Sequence, residues 1–254
     1  MSGRLAVIGL GPGDARYLTA EAQAALAEAE ALYGYAGYLD RVPARTGQAR
    51  YASDNREESA RAAAALAHAA TGARVALVSG GDPGVFAMAA AVCEAIAQGP
   101  PQWRALELAV VPGVTAMLAV AARAGAPLGH DFCALSLSDN LKPWELIERR
   151  LDAAAKAGFV IALYNPISRA RPWQLGKAFE RLRALLPGET AVVFGRAIGR
   201  ADESMSVTTL AAAQANAADM ATLIIIGSPE THVIERPGCA PLVYTSRSAK
   251  VACP

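Results

Sequence analysis

The segment LAVIGLGPGD, residues Leu5–Asp14, joins a short apolar run to a glycine-rich turn, and this combination decides the class of fold. The run Leu5–Ile8 predicts a buried β-strand, because it is short and rich in aliphatic side chains. After the turn, Thr19–Leu32 predicts an α-helix with Thr19 as its N-cap residue. A buried strand that passes through a glycine turn into a helix is typical of α/β proteins.

The same alternation continues along the chain. Further helices are predicted at Arg56–Ala70, at Val85–Ala97, from Thr115 onward and at Pro143–Ala157. Further strands are predicted at Val75–Ser79, Leu106–Val111, Phe132–Leu137, Phe159–Tyr164, Ala191–Phe194, Thr222–Ile226 and Pro241–Thr245. Such alternation favours parallel sheets covered by helices. Because it restarts after Val111-Pro112-Gly113, we expect two α/β domains, residues 1–111 and 112–254.

The first glycine turn does not have the spacing of a dinucleotide-binding loop. In that loop the third glycine occupies the sixth position, where helix and strand pack closely. Here the third glycine, Gly13, comes one position early, and Asp14 occupies the sixth position. Pro12 lacks a backbone N–H donor, and the carboxylate of Asp14 opposes a pyrophosphate. The turn therefore argues against a nicotinamide-dependent oxidoreductase.

Four more glycine or proline turns follow predicted strands. They are SGGDPG at Ser79–Gly84, PGVTA at Pro112–Ala116, LYNP at Leu163–Pro166 and IGSP at Ile226–Pro229. Glycines permit close approach of a ligand to the backbone, and Asp82 can accept hydrogen bonds from an amine or a ribose hydroxyl. The alternative is that Asp82 caps the following helix. Because α/β sheets bind ligands at strand ends, the ordered set of turns predicts a binding site.

This ordered set of turns resembles the tetrapyrrole methylases, also called precorrin methylases, from Arg4 to about Thr245. The resemblance implies two αβα domains with a cofactor and substrate cleft between them, and a homodimer. It also implies S-adenosylmethionine as methyl donor, released as S-adenosylhomocysteine. The cofactor contacts that the resemblance implies are Pro12, Gly80, Gly81, Asp82, Val85, Thr115, Ala116, Tyr164, Asn165, Ala197 and Gly227.

Two further stretches, Ser136–Glu145 and Leu163–Leu175, resemble the branch of the family that methylates C17 of precorrin-3B. That branch implies ring contraction to precorrin-4 in corrin (cobalamin) biosynthesis. This chain departs from the branch in two places: Asn140-Leu141-Lys142 stands where Leu-Leu-Thr is expected, and Asp54-Asn55 where Gly-Met is usual. A different precorrin or a cobalt-bearing intermediate therefore remains an alternative substrate. Tyr33 precedes Gly34, not the aspartate of the uroporphyrinogen methyltransferases, which argues against that substrate.

Ring contraction calls for a general acid–base group, and the candidates are Tyr35, Asp139 and His130. The sequence does not choose among them. His130 could instead be a structural histidine, and Asp139 could instead cap a helix. Arg169 and Arg171 are candidates to bind carboxylates of the tetrapyrrole, because a guanidinium group pairs with a carboxylate through two hydrogen bonds. An ordinary surface loop is the alternative for both arginines.

Composition narrows the other possibilities. The chain has 254 residues, of which 53% are hydrophobic, so a folded protein with a substantial core is expected. A formal net charge of +1 and dispersed basic residues disfavour nucleic acid as a partner. The cysteines, Cys93, Cys133, Cys239 and Cys253, form no CxxC pair and no metal-ligand spacing, so we expect reduced thiols and no metal site. With no signal peptide and no apolar run that could span a membrane, a cytoplasmic protein is expected.

Three other functions compete with a corrin methyltransferase. The first is a methyltransferase of the same fold acting on ribosomal RNA or on diphthamide intermediates. Near-neutral charge argues against RNA, and the segments Lys142–Trp144 and Arg171–Trp173 argue against both of these substrates. The second, a non-catalytic tetrapyrrole carrier, is opposed by the intact cofactor turns. The third, a nicotinamide oxidoreductase, is opposed by the glycine spacing.

Overall fold

A computed structural model describes residues 3–54, 56–168 and 170–248. The chain divides into two compact units, Met1–Thr115 and Ala116–Pro254, and each is described by itself below. Both units are built from sheets and helices, which confirms the predicted α/β class. The sequence features at Asn55, Arg169 and Cys253 lie outside the described residues.

The first unit contains a parallel sheet. Its strands are β1 (Arg4–Gly9), β2 (Ala31–Tyr35), β3 (Ala49–Ser53), β4 (Arg74–Ser79) and β5 (Glu107–Val111). The α-helices described in this unit are α1 (Ala20–Glu28), α2 (Ala36–Leu39), α3 (Glu58–Ala69) and α4 (Met88–Gln98). The strand order is β3-β2-β4-β1-β5, and every neighbouring pair is parallel. The parallel sheet predicted for this part of the chain is confirmed.

Helices cover both faces of this sheet. Leu5 and Val7 of β1 pack in one core cluster, which includes residues of α3 and α4. Ala6 and Ile8 pack in a second cluster, which includes residues of α1. Because side chains alternate between the two faces of a strand, a continuous apolar strand supplies both clusters. The first unit is therefore an αβα sandwich.

Helix α1 begins as predicted and ends earlier. Thr19 is its N-cap residue, and the Thr19 hydroxyl accepts a hydrogen bond from the Ala22 backbone N–H at 3.0 Å. The helix ends at Glu28 and not at Leu32, because the chain from Ala31 onward forms β2 between β3 and β4. Pairing with two other strands outweighs the helix propensity of this alanine-rich segment.

The second unit contains a mixed sheet and a smaller three-stranded sheet. Its helices and strands are α5 (Ala116–Ala124), β6 (Gly125–Ala126), β7 (Phe132–Ser136), α6 (Trp144–Lys156), β8 (Val160–Tyr164), α7 (Gln174–Arg183), β9 (Ala191–Arg196), β10 (Ser204–Thr209), β11 (Thr222–Ile226), β12 (Thr231–Ile234) and β13 (Leu242–Thr245). The main sheet has the order β10-β9-β11-β8-β7, and the small sheet has the order β12-β13-β6. In the main sheet β7 and β8 are parallel and the other pairs are antiparallel. The expectation of a parallel sheet is wrong for this unit.

Helices also cover both faces of the mixed sheet. Leu151 of α6 and Phe179 of α7 pack in one cluster with sheet residues such as Ile224. On the other face α5 approaches β9 closely, since a Cβ atom added at Gly195 would overlap the Val120 side chain. The second unit therefore has an αβα arrangement too, with strand directions different from those of the first.

Candidate functional site

Three glycine-containing loops meet at one edge of the first unit's sheet. We define them as the first loop (residues 9–14, after β1), the second loop (79–84, after β4) and the third loop (112–115, after β5). Since β4, β1 and β5 are adjacent and parallel, their carboxyl ends are neighbours. Gly11 and Gly81 donate backbone hydrogen bonds to each other's carbonyl oxygens at 3.1 and 2.8 Å. The first and second loops are thus joined backbone to backbone.

The carboxylate of Asp82 joins the second loop to the third. Its Oδ1 accepts a hydrogen bond from the Gly84 N–H at 2.8 Å, and its Oδ2 accepts one from the Gly113 N–H at 3.0 Å. Helix α4 has Ala87 as its N-cap residue, so Asp82 does not cap that helix. One role of Asp82 is therefore to hold the loops together.

The glycines of these loops are required by the close approach of backbone atoms. A Cβ atom on Gly9 would lie 2.7 Å from both Gly113 N and Gly81 O. A Cβ atom on Gly113 would overlap Gly81 O, and one on Gly80 would lie 2.7 Å from the Tyr38 ring. Gly81 itself has a φ of +66°, which side chains disfavour. The loops therefore pack backbone against backbone at Gly9 and Gly113, where no side chain fits.

Arg41 fixes the first loop, and sequence reasoning missed it. Its Nη2 donates hydrogen bonds to the carbonyl oxygens of Leu10, Gly11 and Gly13 at 2.8–2.9 Å. Nothing in the local sequence indicates this role, because Arg41 lies about 30 residues from the carbonyls it contacts. Asp14, the acidic residue of the same loop, contacts the backbone two residues further along. Its Oδ1 accepts a hydrogen bond from the Arg16 N–H at 2.8 Å.

The sequence-predicted site residues of the first unit lie at this edge of the sheet. Pro12 is in the first loop, Gly80, Gly81 and Asp82 are in the second, Val85 follows it, and Thr115 ends the third. Thr115 is buried, whereas Pro12 and Val85 are half-buried. Tyr35 ends β2, the neighbour of β4, and its ring contacts Tyr38 edge to face at 5.4 Å. Their contacts with a ligand stay predictions.

In the second unit three of the predicted residues lie at the ends of β8 and β9, two strands that run in the same direction. They are Tyr164, Asn165 and Ala197. Tyr164 ends β8, and its hydroxyl accepts a hydrogen bond from Met117 N at 3.1 Å, next to Ala116 at the start of α5. Asn165 donates a hydrogen bond from Nδ2 to the Ser136 hydroxyl at 2.9 Å. Ala197 follows β9, which pairs antiparallel with β11, as β8 does.

Two of these positions have an unusual backbone conformation. Asn165 has a φ of +51° and Ala197 a φ of +49°. Non-glycine residues are uncommon in this left-handed region, and such positions cluster at ligand-binding sites. The conformation supports a binding role for the ends of β8 and β9.

Gly227 and His130 lie at the other end of the main sheet's strands, next to the amino-terminal end of β8. Gly227 follows β11 and donates a backbone hydrogen bond to the carbonyl of Ala191, the first residue of β9, at 2.8 Å. His130 precedes β7, and its Nδ1 accepts a hydrogen bond from the Asp131 N–H at 2.8 Å. A strand of five residues is about 16 Å long. The structure therefore does not bring Gly227 or His130 together with Tyr164.

Asp139 and Arg171 are in contact with each other. Arg171 Nε lies 3.0 Å from Asp139 Oδ1, and the buried Gln174 donates a hydrogen bond from Nε2 to the same oxygen at 2.8 Å. Lys142 follows three residues after Asp139. Burial lowers the pKa of Lys142, the positive charge of Arg150 lowers it further, and Asp139 opposes both effects. Sequence reasoning missed Gln174, which reads as an ordinary polar residue at the start of a helix.

In the described part of the chain, no group of three or more His, Cys, Asp or Glu side chains is arranged to hold a metal ion. Nor is any helix of the described residues long and apolar enough to cross a membrane. Cys93, Cys133 and Cys239 are free thiols.

The chain belongs to the tetrapyrrole (corrin/porphyrin) methylases, whose family model matches residues 4–214. Among curated proteins it is 65% identical to a precorrin-3B C(17)-methyltransferase from Sinorhizobium sp, over 97% of each chain. It is also 41% identical to a "Probable cobalt-factor III C(17)-methyltransferase" from Salmonella typhimurium, over 95% of this chain and 99% of that protein. The chain is thus a methyltransferase of its family.

Solved structures agree with this assignment. The crystal structure of the methyltransferase CobJ superimposes with a TM-score of 0.91 at 46% identity, over 96% of this chain and all of that one. Uroporphyrin-III C-methyl transferase from Thermus thermophilus, complexed with S-adenyl homocysteine, superimposes with a TM-score of 0.67 over 89% of this chain and 97% of that one. At 22% identity the second likeness shows the fold alone.

Proposed function

We propose that this chain transfers a methyl group from S-adenosylmethionine to C17 of precorrin-3B, with ring contraction to precorrin-4, in cobalamin biosynthesis. The observation that carries the proposal is the 65% identity to a precorrin-3B C(17)-methyltransferase over nearly the whole of both chains. The glycine loops of the first unit support it, since glycines at strand ends permit close approach of a ligand to the backbone.

The loops of the first unit are the part of this unit proposed to hold S-adenosylmethionine. When bound, this molecule supplies an electrophilic methyl group on a sulfonium sulfur. Pro12, the Gly80–Asp82 turn, Val85 and Thr115 are the residues proposed to hold it in this unit, and Ala116, Tyr164, Asn165 and Ala197 those in the second unit. The Gly11–Gly81 and Asp82–Gly113 hydrogen bonds cross-link the loops and hold them in fixed positions relative to one another. Rigid placement of the reactants supplies much of the rate in such a displacement.

Of the candidate acid–base groups, Tyr35 has the position that fits best. It lies at the edge of the first unit's sheet that carries the three glycine loops. Asp139 Oδ1 already has Arg171 and Gln174 as partners, and His130 lies away from the carboxyl ends of β7 and β8. We therefore propose Tyr35 as the group that exchanges a proton with the substrate during ring contraction.

A labelling experiment tests the proposed reaction. The protein is incubated with precorrin-3B and S-adenosylmethionine that carries ¹³C in its methyl group, and the product is examined by NMR. We expect one new ¹³C-methyl signal, assigned to C17, in a ring-contracted product. A label at another carbon would show that the chain acts on a different position of the macrocycle. Unchanged precorrin-3B with intact cofactor binding would favour a carrier.

A cobalt-bearing substrate is the second candidate, because a relative with 41% identity carries the name of a cobalt-factor III C(17)-methyltransferase. The same assay with cobalt-factor III in place of precorrin-3B distinguishes the two. The higher identity of the precorrin-3B relative favours faster turnover of the metal-free substrate.

A homodimer in the cytoplasm, without nucleic acid or membrane partners, completes the proposal. The family resemblance supports the homodimer. Composition and charge support the location and the absence of nucleic acid and membrane partners. One chain has a mass of 26.2 kDa. Light scattering of the purified protein should give twice this mass.

A further inference from the structure

In the second unit, the loop after β7 and the loop after β8 contact each other. These strands are parallel neighbours, and Ser136 at the end of β7 lies opposite Tyr164 at the end of β8. The loop after β7 carries Asp139, and the loop after β8 carries Arg171 and leads into α7. Besides the Asn165–Ser136 hydrogen bond, contacts of Asp139 hold these loops together.

The environment of Asp139 fixes its carboxylate in place. Gln174 is 1% exposed and is the first residue of α7, so its amide is a rigid donor to Asp139 Oδ1. The same oxygen lies 3.0 Å from Arg171 Nε, whose N–H does not point along the contact. The contact is therefore an ion pair, while the hydrogen bond comes from Gln174.

The other end of the Arg171 guanidinium is available to a ligand. The Arg171 side chain is 30% exposed, and in the described part of the chain Nη1 and Nη2 make no hydrogen bond. A guanidinium group that is held through Nε presents two parallel N–H donors, and these match the two oxygens of a carboxylate. Lys142 adds a second positive charge close to Asp139, so the cluster carries more positive than negative charge.

We propose that Asp139 is a positioning residue, which with Gln174 holds Arg171 so that its Nη1 and Nη2 bind a carboxylate side chain of the tetrapyrrole. The inference rests on the proposed function, because it takes the macrocycle as the ligand. Asp139 acts through Arg171 and does not exchange protons with the substrate.

The test compares variants in steady-state kinetics with precorrin-3B and S-adenosylmethionine. Asp139→Asn keeps the oxygen that accepts from Gln174 and removes the charge that holds Arg171. We expect its KM for the tetrapyrrole to rise about three- to tenfold, as for loss of a partly exposed charged contact, with kcat within about twofold. Its affinity for S-adenosylhomocysteine, measured by calorimetry, should be unchanged.

Asp152→Asn is the matched control. Asp152 is as exposed as Asp139, at 20% against 21%, and it also pairs with an arginine, Arg181. It lies on α6, outside the cluster. We expect KM, kcat and cofactor affinity of this variant to equal those of the parent.

Coupling between Asp139 and Arg171 separates positioning from other roles. Arg171→Ala should raise KM by roughly ten- to a hundredfold, and Arg171→Lys should recover part of the loss. In the Arg171→Ala background, Asp139→Asn should cause no further rise in KM, since nothing remains to be positioned.

Several results would overturn the inference. A fall in kcat at constant KM would make Asp139 an acid–base group. A lower KM for Asp139→Asn would mean that its charge merely repels the substrate, and additive effects in the double variant would mean that the two residues act independently. A parent protein that neither binds nor methylates the tetrapyrrole refutes the proposed function instead, so the two failures are distinguishable.

Discussion

Replacement of Gly113 by alanine should distort the three loops of the first unit. A Cβ atom at this position would overlap Gly81 O and would lie 2.9 Å from Gly9 C. Both are backbone atoms of neighbouring loops, so neither can move aside as the end of a flexible side chain would. The third loop must therefore shift, and the shift strains the hydrogen bond of 3.0 Å from Gly113 N to Asp82.

The size of the effect follows from these contacts. Overpacking of this kind costs about 1–3 kcal/mol. For a chain of this length each kcal/mol lowers the melting temperature by about 2–4 °C, so a decrease of roughly 2–12 °C is expected. If the Gly113–Asp82 hydrogen bond is lost as well, the free energy of unfolding falls by about a further 1.5–3 kcal/mol. Affinity for S-adenosylhomocysteine should fall at least about tenfold, the equivalent of about 1.4 kcal/mol.

Scanning calorimetry measures the stability, and titration calorimetry measures the affinity. Gly176→Ala is the control, because Gly176 lies within α7 and an added Cβ atom there meets nothing within 4 Å. We expect this control to be as stable as the parent or more stable by about 0.5–1 kcal/mol, as for an alanine within a helix. If Gly113→Ala melts with the control and binds the cofactor product as the parent does, the close contact of the loops is not what orders the site.

Three further predictions concern single residues. Gly81→Val should abolish S-adenosylhomocysteine binding in calorimetry. Gly47→Val, which is also at positive φ but in open space, should lose stability and bind S-adenosylhomocysteine as the parent does. Tyr35→Phe should slow ring contraction in single-turnover assays without weakening cofactor binding, and an unchanged rate would exclude the phenol as the acid–base group. The Arg181 hydrogen bond lowers the pKa of Asp152, so this carboxylate stabilises the fold above about pH 4 and the stabilisation disappears as pH falls through the lowered pKa. Asp152→Asn should therefore melt about 1–3 °C below the parent at pH 7, and this difference should shrink as the pH is lowered below about 4.

Local sequence predicted most of the buried strands and most of the helices of this protein, but it missed the buried strand β2 and the helix α7. Runs such as Leu5–Ile8 and Thr222–Ile226 form central strands, because a strand that is buried on both faces is apolar at nearly every position. Thr19 became a helix cap, since capping depends on the residue itself and the next three. By contrast, β10 at Ser204–Thr209 was not predicted, because an edge strand of serine and threonine has no apolar run.

Strand direction could not be read from the sequence. A strand that is buried on both faces has the same composition whether its neighbours run parallel or antiparallel, so the parallel sheet predicted for the second unit was wrong. The consequence reaches the candidate site. Tyr164 and Gly227 both follow apolar strands, but β8 and β11 are antiparallel, and the two residues therefore lie at opposite edges.

The sequence by itself determined the α/β class, the family and the glycine turns, because composition, short apolar runs and motif spacing are local properties of the chain. Only the tertiary structure decided which polar groups meet. Gln174 lies 35 residues from Asp139, and Arg41 lies about 30 residues from the carbonyls of the first loop. The partners of a side chain depend on how strands are ordered and directed in the sheet, and residues so far apart carry no local pattern that reveals their contact.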